Sequence, residues 1–293
     1  MKKKVVLFIK TGIVILNYND YKTTIKLINK IKNYKNIDEF VIVDNLSTDN
    51  SYEELKKIEN KNIKILKSDK NGGYGYGNNI GCKYLIDKYS DCNIIISNPD
   101  INFNEEVINN LTNLLKEEHI GIVAPVIIQN EEKIIGRKKY SIYKEILLNI
   151  VGINRIYNKY LNKPHKLCYN SGGLVEVELF SGCFFATKGN VMQKIDFFDE
   201  NIFLYYEENI LTTKLKKLGY KIIVDTNSEV IHEHSVSISK TYNNIDKFKL
   251  LKDSQYYYFK NYEKCSKLSL FLLNLTKQFS ICILNIIKKI EGE

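Results

Sequence analysis

The chain has 293 residues, 44% of them hydrophobic and 26% charged, the balance of a globular protein with a real core built as one large α/β domain or two small ones. Its 43 basic residues against 34 acidic ones give a net charge of +9, and Arg137 and Arg155 are the only arginines. Lysine is a point charge without the bidentate fork that reads base edges, so nucleic acid is set aside as a partner in favour of phosphorylated substrates or an anionic membrane surface.

Met1-Lys2-Lys3-Lys4 followed by Val5 to Ile9 imitates a signal peptide, but the apolar part is too short and Lys10 interrupts it. Gly12 to Leu16 is an apolar run predicting a strand that opens into the polar loop Asn17-Tyr18-Asn19-Asp20. Ile25, Leu27, Ile28 and Ile31 predict a helix over residues 21–33. Phe40 to Val43 reads as a second buried strand, ending in Asp44-Asn45-Leu46-Ser47-Thr48-Asp49-Asn50-Ser51. Ser51 with Glu53 and Glu54 predicts a helix start carrying acids in its first turn. Ile63 to Leu66 is a third short strand. The loop Asn71-Gly72-Gly73-Tyr74-Gly75-Tyr76-Gly77-Asn78-Asn79 follows, then a helix to about residue 88.

Asn93-Ile94-Ile95-Ile96-Ser97-Asn98-Pro99-Asp100 predicts a strand buried on both faces that must end at Pro99, which cannot donate a ladder hydrogen bond. That stop leaves Asn98 and Asp100 at the carboxyl edge of a central strand, where open α/β sheets bind ligands. A carboxylate there is a hard oxygen ligand for Mg²⁺ or Mn²⁺; Asn-Pro-Asp is also ordinary turn chemistry. Downstream, residues 103–117 predict a helix and Ile120 to Ile128 a strand, while residues 129–172 give no usable pattern and suit a lid or an acceptor-binding insertion. Leu174 to Phe180 alternates like a strand, and Glu207 to Leu218 reads as a helix opening on two acids. Tyr220 to Asp225 and Glu229 to Ile231 are two short strands before His232-Glu233-His234-Ser235.

From Leu268 to Ile290 the chain is strongly apolar. Leu268, Leu272, Leu275, Phe279, Cys282, Ile286 and Ile290 share one helical face, with Asn274, Lys277, Gln278, Asn285 and Lys288 on the other. Lys277 in the middle argues against a bilayer span. An amphipathic helix lying on a membrane and a helix packed on protein both fit the pattern. The six cysteines (Cys82, Cys92, Cys168, Cys183, Cys265, Cys282) form no Cys-x-x-Cys pair and read as reduced, in a cytoplasmic protein without a zinc site.

Asp44, the glycine-rich stretch, Asp100 and His232 thus follow predicted strands. Gly75, Gly77 and Gly81 are spaced G-x-G-x-x-x-G, which is not the dinucleotide fingerprint; they either admit a close ligand or make a flexible loop. Asp44 can accept the imide N–H of uracil or thymine, or cap a turn. His232 reads as a metal ligand or a surface histidine, and Glu207-Glu208 as a base or as favourable charge at a helix start.

In order, these motifs resemble the family 2 glycosyltransferases of GT-A fold, nearest the rhamnosyltransferase-like members of bacterial polysaccharide assembly, over roughly Gly12 to Lys240. Ile15-Leu16-Asn17-Tyr18-Asn19 is similar to the family's first strand and its nucleotide-contacting end. Val43 to Ser51 resembles V-D-N-x-S-x-D-x-S, which implies that Asp44 recognises the base. Asn71 to Asn79 resembles N-x-G-x-x-x-G-N-N, which implies that Asn71, Gly72, Gly73 and Asn79 meet the nucleotide sugar. Asn98-Pro99-Asp100 stands where other members have D-x-D, implying Asp100 as a metal ligand beside Asn98. Phe197-Phe198-Asp199-Glu200 and Phe203-Leu204-Tyr205-Tyr206-Glu207-Glu208 resemble F-D-E and E-D-x-D, implying Glu208 or Glu207 as the base, with Ile210 replacing the last acid. His232 to Ser237 is similar to the family's H-x-x-x-x-S ending, implying His232 as a second metal ligand.

The resemblance implies an α/β fold of GT-A type, a mixed and largely parallel central sheet flanked by helices. Residues 1–245 would bind the nucleotide sugar, and 246–293 form a C-terminal amphipathic helical segment. The expected activity is inverting, Mn²⁺- or Mg²⁺-dependent transfer of one sugar from dTDP-rhamnose or a UDP-hexose to a lipid-linked or growing glycan. With no tryptophan, the Q-x-x-R-W motif of processive synthases is excluded. The expected setting is peripheral, on the inner face of the cell membrane through the C-terminal helix, with a homodimer as a further expectation. The alternatives are a nucleotidyltransferase using the same sheet edge and an impaired nucleotide-sugar-binding scaffold.

Overall fold

The computed structural model describes residues 9–157, 173–233 and 244–291. Strands β1 (Lys10–Asn17), β2 (Glu39–Asp44), β3 (Ile63–Lys67) and β4 (Cys92–Ser97) lie parallel in the spatial order β3-β2-β1-β4. Every residue of β2 and β4 is buried, as continuous apolar runs in a sheet covered on both faces require. Ile13 and Ile15 point to one face, against α1 (Tyr21–Ile31) and α4 (Glu105–Leu114). Val14 points to the other, where α3 (Gly73–Tyr89) packs with Leu85. Helix α2 (Ser51–Lys56) links β2 to β3.

Beyond β4 the sheet becomes mixed. Its other strands are β5 (Ile101–Asn102), β6 (Ile120–Gln129), β7 (Glu132–Ile134), β8 (Leu174–Glu176), β9 (Phe184–Lys188) and β10 (Lys221–His232). The path continues β4-β9-β6-β10-β5, with β7 on β6 and β8 on β10. Strand β9 runs antiparallel to both β4 and β6. Its Phe-Phe-Ala-Thr-Lys neither alternates nor concentrates β-branched residues, so the sequence does not announce it. The two short strands expected at 220–231 are one strand, interrupted between Asp225 and Glu229 in its pairing with β6. Asp225 closes that irregularity by accepting hydrogen bonds from Ser228 Oγ (2.6 Å) and Asn227 N (3.0 Å). The strand expected over 174–180 stops at Glu176, and Leu179 instead makes an isolated antiparallel bridge to Arg137.

Within residues 129–157, a stretch without usable periodicity, lie β7, α5 (Ile142–Leu148) and α6 (Ile153–Ile156). Helix α7 (Gly189–Lys194) backs β4 and β9, and α8 (Glu207–Lys217) follows. The C-terminal helices are α9 (Asn244–Asn261) and α10 (Lys267–Glu291). A separate core joins them to the main domain: Tyr258, Phe259, Leu270 and Leu273 pack with Ile142, Ile202, Tyr206 and Ile210.

Helix α10 is long and apolar enough, by length and composition, to cross a membrane. Ser269, Leu270, Leu273 and Ser280 face inward, whereas Asn274, Gln278 and Asn285 are exposed. Ser280 is fully buried, accepting Val151 N (3.2 Å) and donating to Asn149 O (2.5 Å), and Lys277 pairs with Asp253 of α9. Phe271, Leu275 and Phe279 on the outside are each more than half exposed.

Candidate active site

The carboxyl ends of β1, β2 and β4 converge on one edge. Asn17 and Asp44, neighbours in the β1–β2 register, are both 0% exposed. Asp44 accepts hydrogen bonds from Asn17 Nδ2 (3.0 Å), Ser47 Oγ (2.6 Å) and Ser47 N (3.0 Å), while Asn17 Oδ1 accepts from Thr24 (2.9 Å). In this structure these two side chains tie loops to strand ends. Asn19 joins the same knot through Ser47 and Thr48, and Tyr18 stands half-exposed beside it.

The glycine-rich stretch, expected to admit a close ligand or to form a flexible loop, is the start of a helix. Helix α3 begins at Gly73, whose φ of +87° and approach to Phe203 leave no room for a side chain: a Cβ would lie 2.0 Å from Phe203 O. Farther along, Gly77 lies against Leu16 and Gly81 against Val14, so the glycines let α3 sink onto β1. Asn71 and Gly73 are tied to β2's end by Asn45 Nδ2, at 3.0 and 3.1 Å, and Asn71 and Gly72 are partly open to solvent. Asn79, expected at the nucleotide sugar, is 1% exposed and faces the other way. Its amide binds Phe198 N and O, both at 3.0 Å, and Glu200 (2.8 Å). All its polar atoms are engaged, so it anchors the 198–200 segment.

Beyond β4, Asn98 N donates to Cys183 O (2.8 Å). The two-residue strand β5 then pairs with the end of β10, opposing Ile101 to His232, and Glu233 N donates to Asp100 O (2.9 Å). This clip brings Asp100 Oδ1 within 3.3 Å of His232 Nε2. Both atoms are buried, and neither has a hydrogen-bond partner among the described residues. Two buried polar atoms that face each other without hydrogen-bond partners are an arrangement a shared cation satisfies, and a carboxylate with an imidazole is a donor set that fits Mn²⁺. Among the described residues no group of three or more His, Cys, Asp or Glu stands ready to hold a metal, so Asp100 and His232 form a pair and no more. Ser237, the end of the expected H-x-x-x-x-S motif, lies outside the described residues.

Helix α8 opens on Glu207 and Glu208 after Tyr205 and Tyr206, both with left-handed φ near +70°. Strain in two successive bulky residues is the kind that surrounding structure holds at functional sites. It splits the two acids. Glu207 is 6% exposed, its Oε1 has no partner, and burial with the neighbouring Glu208 charge pushes its carboxyl up to about 8. Glu208 is half-buried and lines a cavity of about 260 Å³ with Arg137, Phe180 and Ser181. Burial raises its carboxyl too, opposed by the Gly182 N–H (3.1 Å) and the Arg137 charge. Ile210, which replaces the motif's last acid, is 1% exposed within the C-terminal core.

No pattern in the sequence marks Gly182 or the Cys183 backbone, because a single glycine after Phe180-Ser181 carries no periodic signal. They are the link in the site: Gly182 N meets Glu208, Gly182 O accepts from Tyr74 (2.7 Å), and Cys183 O meets Asn98. Charges of both Asp100 and Glu208 reach the Cys183 thiol.

A family model for glycosyl transferase family 2 matches residues 12–184. The chain belongs to that family. A curated relative, the low-salt glycan biosynthesis hexosyltransferase Agl10 of Haloferax volcanii, is 26% identical over 198 residues, or 67% of this chain and 58% of the relative. This family 2 chain therefore spans a little over half the length of that relative. Solved structures with the same GT-A architecture include GalNAc-T7 with UDP, GalNAc and Mn²⁺, at TM-score 0.58 and 14% identity, covering 78% of this chain and 44% of that one. The mannosyltransferase PcManGT of Pyrobaculum calidifontis, with GDP-Man and Mn²⁺, gives 0.57 at 12% identity over 94% of this chain and 73% of its own. TarS residues 1–349 of S. aureus with UDP-GlcNAc gives 0.54 at 16% identity, over 89% and 69% respectively.

Proposed function

We propose that this family 2 glycosyltransferase is inverting and divalent-metal-dependent, and moves one sugar from dTDP-rhamnose or a UDP-hexose to a lipid-linked or growing surface glycan. The observation that carries the reading is the Gly182–Cys183 backbone, which is bonded on one side to Glu208 and on the other to the Asn98 strand end leading to Asp100.

Asp100 and His232 would hold the metal, Mn²⁺ in preference to Mg²⁺ because of the imidazole. When bound, it neutralises the charge of the departing diphosphate. Tyr18, Asn19, Asn71, Gly72 and Asn98 line the donor side. Asp44 and Asn17 act on the nucleotide mainly by holding that rim in shape. Glu208 is the base and not Glu207: it borders the cavity, and the Gly182 N–H engages one of its oxygens while leaving the other for the acceptor. The acceptor oxygen bonds to the anomeric carbon as that carbon's bond to the diphosphate oxygen breaks. The hydroxyl proton passes to Glu208, and the electron pair leaves with the nucleoside diphosphate. A single displacement from the opposite face inverts the anomeric centre.

The outward apolar side of α10 rests on an anionic membrane surface, supported by the lysine excess of the chain and by Lys288 and Lys289 in its last turn. A second reading, a donor-binding scaffold that does not transfer, is favoured by Ile210 alone. Product release from UDP-hexoses and dTDP-rhamnose with Mn²⁺, with and without acceptor glycan extract, separates the two. Turnover that vanishes in Glu208→Gln supports transfer, while donor binding without turnover under any metal supports the scaffold.

A further inference from the structure

Arg137 is an arginine in a chain whose cations are otherwise almost all lysine. Its backbone is fixed by a double hydrogen bond to Leu179, N to O at 2.9 Å in both directions. Its guanidinium stands 5.1 Å from the centre of the Tyr140 ring, at the mouth of the cavity that Glu208 lines. Among the described residues it has neither an ion pair nor a hydrogen-bond partner, although it is surrounded by engaged charges. Lys139 binds Thr213, Tyr258 and Glu263, and Lys144 binds Tyr157. Glu178 accepts from Lys139 N and pairs with Lys216. The segments outside the described residues hold no acid other than Glu293. This guanidinium is exposed and stacked, and although its charge reaches Glu208 it makes no direct bond to an anion among the described residues, so its fork is open to a phosphate.

We propose that Arg137 binds a phosphate group of the acceptor and so positions the acceptor's hydroxyl against Glu208. This rests on Glu208 being the base. The apolar flank points to the source of the phosphate. Leu179 and Phe180 wall the cavity, and α5 beyond Tyr140 exposes Tyr143 and Leu147. That helix packs on α10, the helix with the apolar outer side. An amphiphile with a phosphate head, such as a phosphate-linked lipid carrier, matches that sequence of surfaces.

Equilibrium titration of the full chain with geranyl phosphate, glucose 1-phosphate and geraniol tests this without donor or turnover, so an inactive enzyme would not confuse the result. The native protein should prefer geranyl phosphate to geraniol. Arg137→Ala should weaken both phosphate probes by about tenfold or more, as loss of a charge-assisted contact does, with Arg137→Lys intermediate. Lys138→Ala, the exposed neighbour, should change nothing. Tighter binding of geranyl phosphate than of glucose 1-phosphate assigns a lipid carrier, and the reverse assigns a water-soluble sugar phosphate. Equal binding of geraniol, an unchanged Arg137→Ala, or equal loss in Lys138→Ala overturns the proposal.

Discussion

Gly182 and Glu208 are in contact through a single hydrogen bond, and the fit admits nothing larger: a Cβ at 182 would lie 2.4 Å from the very Glu208 oxygen that accepts the Gly182 N–H. Gly182→Ala should therefore swing the carboxylate out of place. Since the same residue carries the bond from Tyr74 on its carbonyl, transfer should fall by roughly a hundredfold or more, as when a preorganised polar group is displaced. Steady-state kinetics with donor and acceptor varied separately would read this mainly in kcat.

The two acids of α8 should separate cleanly. Glu208→Gln should stop transfer and keep donor binding, whereas Glu207→Gln should keep much of the activity. An inactive Glu207→Gln beside an active Glu208→Gln would exchange their roles.

Glu207 also has a pH signature. Its folded carboxyl lies near 8 because of burial and the Glu208 charge, against 4.5 as its ordinary value. Below pH 4.5 it is protonated whether the chain is folded or not, and costs nothing. Between 4.5 and 8 the unfolded chain releases a proton that the fold retains, so this group's contribution falls as pH rises. Glu207→Gln should gain on the native protein over that window, by on the order of 5 °C in midpoint between pH 5 and 8 in a thermal melt.

Asp100→Ala should remove an orphaned buried acceptor, so its melting temperature without metal should hold or rise. The stabilisation of the native chain by Mn²⁺ with UDP should disappear in it and in His232→Ala. Retention of the Mn²⁺ response would take Asp100 out of the metal site.

Phe271, Leu275 and Phe279 are exposed, so replacing all three with Glu should leave the fold intact while releasing the protein from anionic liposomes in a flotation assay. Unchanged partitioning would show that another surface does the binding.

The parallel half of the fold was legible because each strand is a continuous apolar run stopped by a polar loop, as at Ile42-Val43-Asp44 and Ile96-Ser97-Asn98-Pro99. Strand β9 was not, since it owes its strand state to being wedged between β4 and β6. The glycines were legible as glycines but not in purpose, because their partners Leu16, Val14 and Phe203 are distant in the chain or on another strand. The burial of Asn79 and the contact at Gly182 are likewise tertiary facts. For α10 the periodicity identified an apolar stripe correctly, but which side faces protein depended on Asp253 and Asn149.

The β5–β10 clip has a consequence for how the protein is made. Asp100 leaves the ribosome with the first half of the sheet, and His232 with β10, the last strand in chain order among the described residues. The loop between them must close before the two side chains meet, a late and entropically costly event. If Asp100 and His232 hold the cation as proposed, a nascent chain gains that grip only once β10 has emerged and paired with β5.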